Sequence, residues 1–133
     1  MSDFFINQVS GDSKILAYAV DFERATITMT LQSNLAGNPA VYTITFENML
    51  TFYFLDSIKD SILFQIDTCT LQDFIKLNQE LLIERRTHNW PVYYETTDQL
   101  IEYLDDYTCY RLVASSGLNG WILAKKSKVQ KVY

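Results

Sequence analysis

The sequence predicts an α+β fold in which an antiparallel sheet of about six strands is packed on one face by two helices. Apolar and polar residues alternate along most of the first half of the chain, which is typical of strands. Two segments in the second half carry apolar residues at helical spacing, and strand-like alternation resumes after them. The two helices are therefore expected to be inserted between strands 4 and 5 and to cover one face of the sheet.

The four strands of the first half are predicted by short alternating segments that are rich in β-branched and aromatic residues. These segments are the hairpin partners 14–22 and 27–33, followed by 41–46 and 61–69. Residues 47–60 hold several apolar residues but sustain neither the strand period nor the helix period. We therefore expect an irregular or one-turn helical crossover between the third and fourth strands.

The two helices are predicted by capping residues that precede an apolar stripe. Thr70 is suited to N-cap the first helix, because an acidic residue follows three positions later and apolar residues then recur over about four turns. This helix is expected to end near Arg85 and Arg86, where cations favour the negative end of the helix dipole. Thr96 and Gln99 form a capping-box pattern that predicts the start of the second helix.

The end of the chain predicts a hairpin followed by a short basic tail. The segments CYRLVAS and WILAKK read as strands, and SSGLNG joins them with two alternative turns. The two turn centres are Ser116-Gly117 and Asn119-Gly120. Residues 125–133 carry four lysines and are expected to fray into solvent. No linker interrupts the sequence, so residues 1–133 are expected to form a single domain.

The charge distribution argues against nucleic acid and membranes as partners. The net charge of the chain is -5, although four of its eleven basic residues lie in the last nine positions. An acidic domain repels phosphate backbones and anionic lipids, and no apolar run is long enough to span a bilayer. The N-terminus lacks the basic region of a signal peptide, so we expect a cytoplasmic location.

Residues suited to catalysis or metal binding are scarce. His88 is the only histidine, and no serine-elbow, phosphate-loop or calcium-loop motif accompanies it. Cys69 and Cys109 lie in apolar segments without CxxC spacing, so each is expected to be a buried thiol rather than half of a disulfide. We therefore expect no catalytic residues, no metal site and no cofactor.

Acidic residues and tyrosines are concentrated around the second predicted helix. A run of acids without an intervening base produces an electronegative patch that attracts a basic protein. Tyrosine and tryptophan are typical of protein interfaces because they combine a large contact area with a polar group. The alternative interpretation is a solvated helix face beside ordinary core aromatics. The candidate partner-binding residues are Tyr94, Asp98, Glu102, Tyr103, Asp105, Asp106 and Trp121.

Several segments resemble the YxiG-like proteins of Gram-positive bacteria. These segments are ILAYAVDFERATITMTL, ITFENMLTFYFLD with the following ILFQI, and SSGLNGWILAK. The resemblance implies a small cytoplasmic α+β protein that acts as an immunity protein and is encoded near secreted toxins. The helical region LQDFIKLNQELLIERRTHNWP has no counterpart in the resemblance, which therefore implies nothing about the identity of the partner.

These observations favour a non-catalytic protein-binding domain, a monomer or weak dimer, whose partner is a basic protein such as a toxin domain. Two alternatives stay open. One is a small enzyme or ligand-binding domain with a pocket between the sheet and the helices. The other is a self-associating phage or structural assembly component.

Overall fold

A computed structural model describes residues 12–33 and 40–132; the N-terminal segment considered above lies mostly outside them. The strands are β1 (Ser13–Asp21), β2 (Thr26–Ser33), β3 (Ala40–Glu47), β4 (Thr51–Leu55), β5 (Ile62–Cys69), β6 (Thr108–Ser116), β7 (Asn119–Ala124) and β8 (Lys126–Lys131). The helices are α1 (Leu71–Leu77), α2 (Gln79–Arg85) and α3 (Thr97–Tyr103), with a 3-10 turn at Arg86–His88. None of these helices has the length and apolar character needed to cross a bilayer.

The predicted α+β fold is wrong in strand number and in helix position. The described residues are mostly sheet, with eight antiparallel strands rather than about six, and the helices follow β5 rather than the fourth strand. Residues predicted as an irregular crossover form β4, which pairs with β7. Most of the predicted basic tail forms β8, which pairs with β3. In both cases the partner strand is distant in sequence, so local periodicity does not reveal the pairing that stabilises the strand.

The sheet curls back on itself at two bends. Its strand order is β4-β7-β6-β5-β1-β2-β3-β8, and β3 runs directly into β4 as β7 runs into β8. Two backbone hydrogen bonds carry the pairing across these bends, from Lys125 N to Glu47 O at 3.1 Å and from Leu50 N to Leu123 O at 2.8 Å. The two ends of the strand order are thereby connected, and the concave face of the sheet encloses a core.

The concave core contains the apolar residues that alternate along the strands. Ile27, Met29 and Leu31 of β2 are fully buried, as their alternation predicts. Burial of each such side chain stabilises the fold by roughly 1.5–3 kcal/mol. The β1–β2 hairpin is confirmed, with antiparallel pairing from Asp21↔Thr26 at the turn to Ser13↔Ser33 at the open end.

A second core lies between the convex face of the sheet and the helices. Trp121 and Leu123 of β7 face the helices, whereas the alternate residues Ile122 and Ala124 face the concave core. The helices contribute buried apolar side chains to this second core. These are Phe74, Leu82, Leu100 and Leu104. The helical layer is therefore anchored on β7.

The hairpin between β6 and β7 is confirmed, with pairing from Thr108↔Ala124 to Leu112↔Gly120. Gly117 and Leu118 separate the two strands along the chain. Gly117 has a φ of +85°, a conformation that suits glycine. Asn119 is not at the turn because it begins β7. Gly120 lies within β7, where a Cβ atom would collide with the backbone carbonyl of Tyr53. The two glycines therefore serve a turn and a close strand approach.

The predicted four-turn helix is divided into α1 and α2 at Asn78. The Asn78 Nδ2 donates to the Phe74 carbonyl at 2.9 Å, and its Oδ1 accepts a hydrogen bond from Trp121 Nε1 at 3.0 Å. The backbone of Asn78 has φ -113° and ψ 23°, outside the helical region. Because its side chain is bonded in both directions, Asn78 ends one helix and positions the next on the sheet.

Both predicted helix N-caps are confirmed. The Thr70 Oγ1 accepts a hydrogen bond from Asp73 N at 3.1 Å, at the start of α1. The Thr96 Oγ1 accepts one from Gln99 N at 3.2 Å, and Gln99 Oε1 accepts another from Glu95 N at 2.8 Å. These bonds satisfy backbone donors that the first turn of a helix leaves unpaired, and they fix the direction in which α3 leaves the loop.

Candidate partner-binding surface

One side of α3 and its flanking residues carries five exposed carboxylates, which we name the acidic surface. They are Glu95, Asp98, Glu102, Asp105 and Asp106. The opposite side of the helix is anchored by Leu100 and Leu104, which are 1% and 0% exposed. An amphipathic helix with one buried stripe presents its polar residues to solvent. All five acids of the run noted in the sequence, Glu95 included, are therefore exposed around α3.

The acidic surface forms no ion pair with a cation within residues 12–33 and 40–132. Among the other described carboxylates, Asp21, Glu47, Asp60 and Asp67 are ion-paired. Glu47 lies 2.9 Å from Lys128 and 3.1 Å from Lys126, and hydrogen bonds from these two lysines lower the pKa of Glu47. The carboxylates around α3 therefore lack the ion pairs that Glu47 has at the sheet edge, and the nearby Arg86 guanidinium instead donates to the Glu95 backbone carbonyl at 2.7 Å.

Exposed tyrosines flank the acidic surface at both ends. Tyr103 is 53% exposed, and its ring stacks on that of Tyr107 with centroids 6.4 Å apart. At the other end, the Tyr93 hydroxyl donates to the Glu95 carboxylate at 2.8 Å, and this bond raises the pKa of Tyr93. Of these, only Tyr103 was among the sequence candidates. The density of tyrosines was the signal available for Tyr93 and Tyr107.

Tyr94 and Trp121 do not lie on this surface, which corrects their assignment as partner-binding residues. Tyr94 is 9% exposed, with the Arg86 guanidinium 5.0 Å from its ring centroid. Trp121 is 6% exposed, and its ring meets that of Phe74 edge-on at 4.9 Å. Large aromatic residues serve cores and interfaces equally well, so the sequence does not distinguish the two uses. Both rings belong to the core beneath the helices.

His88 lies exposed at the end of the 3-10 turn, and it does not line the cavity on which Cys69 and Cys109 lie. Among the residues that the structure describes, no group of three or more histidine, cysteine and acidic side chains is placed to hold a metal ion.

A cavity of about 410 Å³ lies between the C-terminal end of α1 and the convex face of the sheet. Leu77 and Asn78 form its helical wall, and Cys69 and Cys109 lie on its sheet side. Arg111 also lines the cavity and is held by Asp67 through two hydrogen bonds of 2.9 and 2.8 Å. The lining residues come from segments far apart in sequence, so no local motif could have revealed them.

Comparison of the chain with protein-family models, curated proteins and solved structures gives no match. The resemblance to YxiG-like proteins therefore stays a prediction.

Proposed function

We propose that the protein is a non-catalytic binding domain that holds a basic protein partner on its acidic surface. The observation that carries this proposal is the clustering of five exposed carboxylates around α3 with no ion pair among the described residues. Glu47, Asp60 and Asp67 differ, because each of their carboxylates lies within 3.2 Å of a cation. Clustered carboxylates repel one another, so a cationic partner relieves that repulsion and is also steered towards the site.

The flanking tyrosines support the same proposal because they supply contact area beside the charge. Tyr93 and Tyr103 are 68% and 53% exposed. A tyrosine ring buries a large area at low entropic cost and keeps a hydroxyl for a hydrogen bond. Charge alone accelerates association, whereas aromatic contacts slow dissociation, and a stable complex benefits from both.

On the resemblance to YxiG-like proteins, we further propose that the partner is a toxin domain and that the protein acts in the cytoplasm as an immunity protein. Such a protein works by occluding its target. It therefore requires a complementary surface and no catalytic group, which agrees with the scarcity of catalytic motifs in the sequence.

The test begins with affinity capture from the native host at low and at moderate salt, followed by kinetics with the captured protein. The variant Asp105→Lys/Asp106→Lys reverses charge on the acidic surface. Glu80→Lys/Glu84→Lys makes the same change in net charge at exposed positions of α2. We expect the first variant to slow association by about tenfold and to weaken its salt dependence, while the control stays near the wild-type rate.

Two results would overturn the proposal. One is capture of a partner whose association rate is the same for both variants. The other is a captured partner that is acidic and insensitive to salt. Loss of folding is checked separately by the thermal midpoint of each variant, since every substituted position is exposed.

Ligand binding in the cavity beside α1 is a second candidate function. The observation that favours it is the cavity volume of about 410 Å³, which falls in the range of small-molecule sites. Leu77 lies on its rim and is 66% exposed, so Leu77→Trp is expected to narrow the cavity without unfolding the chain. A compound that raises the thermal midpoint of the wild type but not of this variant would support binding there. Equal stabilisation of both proteins would contradict it.

A further inference from the structure

The sheet brings together two cysteines that are distant in sequence. Cys69 and Cys109 are directly opposite each other in the pairing of β5 with β6. Facing residues in antiparallel strands have Cα atoms about 4.5–5.5 Å apart, which lies within the range of about 4.4–6.8 Å that a disulfide spans. Both cysteines are free thiols in this structure. The backbone is therefore already placed for a bond between them.

The two cysteines lie where the helical segment leaves the sheet and where it returns to it. The chain leaves the sheet after Cys69, forms α1, α2 and α3, and returns to the sheet at Thr108. A bond between the two sulfur atoms would close residues 70–108 into a loop at its base. It would also tie the N-cap of α1, which follows Cys69 directly, to the start of β6.

The two thiols differ in their access to solvent. Cys69 is partly exposed, whereas Cys109 is 2% exposed, and both line the cavity beside α1. Burial is the main cause that raises the pKa of the Cys109 thiol, and the neighbouring Cys69 is the next. A raised pKa slows attack by this thiol on an oxidant. A small reagent that enters the cavity meets Cys69 first.

We propose that Cys69 and Cys109 form a reversible cross-strand disulfide when a small peroxide enters the cavity. The Cys69 thiol loses its proton, and its sulfur attacks the O–O bond to give a sulfenic acid and, after protonation of the leaving hydroxide, water. The Cys109 sulfur then attacks the Cys69 sulfur, the S–S bond forms, and the sulfenic oxygen leaves as water with the Cys109 proton. Two thiols are oxidised by two electrons, and one peroxide is reduced to two waters.

The disulfide restrains the helical segment that carries the acidic surface, but this inference does not depend on the proposed partner. Backbone amides of α1, α2 and α3 are expected to exchange more slowly after oxidation because the segment opens less often. Amides of β2 and β3 lie outside the closed loop and serve as the internal reference.

The test treats the full folded chain with hydrogen peroxide and then alkylates the remaining thiols in denaturant, so that burial cannot protect them. We expect an intact mass lower by two hydrogen atoms, no alkyl adduct, and a proteolytic fragment that links the peptides of Cys69 and Cys109. Dithiothreitol treatment before alkylation is expected to restore two adducts.

Single-cysteine variants test the order of events. In Cys109→Ser, peroxide is expected to drive Cys69 on to the sulfinic acid, because no second thiol captures the sulfenic acid. In Cys69→Ser, which changes the more exposed position, the buried Cys109 is expected to react at least tenfold more slowly than Cys69 does. Two adducts on peroxide-treated wild type, or Cys69 sulfinic acid beside an alkylated Cys109, would overturn the proposal. Equal reactivity of the two single-thiol variants would overturn Cys69 as the first thiol to react.

Discussion

The hydrogen bond between Trp121 and Asn78 is expected to hold the helical layer on the sheet, and Asn78→Ala tests it. Trp121 Nε1 donates to Asn78 Oδ1 at 3.0 Å, and Trp121 is only 6% exposed. Alanine leaves that buried indole N–H without its acceptor, which costs about 1–3 kcal/mol. The Phe74 carbonyl loses the side-chain donor of Asn78 in this variant. It still accepts a hydrogen bond from the backbone N–H of residue 78, at 3.1 Å in the wild type, so it is not left unpaired.

Asn78 has backbone angles outside the helical region, so helix propensity does not offset this loss. The free energy of unfolding is therefore expected to fall by about 1–3 kcal/mol for Asn78→Ala. For a domain of this size, that change lowers the thermal midpoint by roughly 3–15 °C. Gln79→Ala is the matched control, because Gln79 is an exposed neighbour on α2, and its effect is expected to stay within about 0.5 kcal/mol.

A double-mutant cycle isolates the contribution of the hydrogen bond. Trp121→Phe removes the indole N–H but keeps an aromatic ring, so Asn78→Ala is expected to cost little in that background. Urea unfolding followed by far-UV circular dichroism measures all four proteins without relying on tryptophan fluorescence. An equal loss from Asn78→Ala in both backgrounds would refute the reasoning, because the indole N–H would then contribute nothing.

Two further predictions concern β3 and β7. Hydrogen bonds from Lys128 and Lys126 lower the pKa of Glu47 below its ordinary value of 4.5. The ionised carboxylate therefore stabilises the β3–β8 pairing fully at pH values above 4.5. This stabilisation is lost as the pH falls through the lowered pKa. Glu47→Gln is therefore expected to flatten the acid limb of the thermal midpoint plotted against pH, and an unchanged acid limb would contradict the assignment. Gly120→Ala would place a Cβ against a backbone carbonyl of β4 and is expected to lower the free energy of unfolding by about 3 kcal/mol or more. Urea unfolding measures both this variant and its control Ser116→Ala, which changes an exposed position of β6. Near-native stability of the Gly120 variant would contradict the prediction, because β4 and β7 would then be able to move apart at little cost.

The sequence by itself determined the elements that depend on neighbouring residues. The β1–β2 hairpin follows from alternation on both sides of a polar turn. The starts of α1 and α3 follow from Thr70 and Thr96, whose side chains bond to backbone amides three residues away. The acidic surface could also be predicted from the sequence. Its residues lie on or beside one short helix, so they stay close to one another in any fold that buries the apolar side of that helix.

Bulges show where such local reasoning ends. Simple alternation along the strand predicted at 61–69 places Ile62, Phe64 and Ile66 on one face and Leu63 on the other. In the structure the register shifts on either side of Leu63, and Leu63 and Ile66 are buried while Phe64 is 49% exposed. One extra residue in a strand exchanges the faces of the residues beyond it, and the sequence pattern alone does not reveal the shift.

The remaining features were decided by the tertiary structure, because each depends on a partner far along the chain. β4 exists as a strand through its pairing with β7, and the helix divides at Asn78 next to its bond with Trp121. The neighbourhood of Cys69 and Cys109 follows from the register of β5 against β6. When two partners are forty or more residues apart, the local pattern of neither segment indicates the other. The partner of each strand, side chain or thiol is therefore known only from the folded chain.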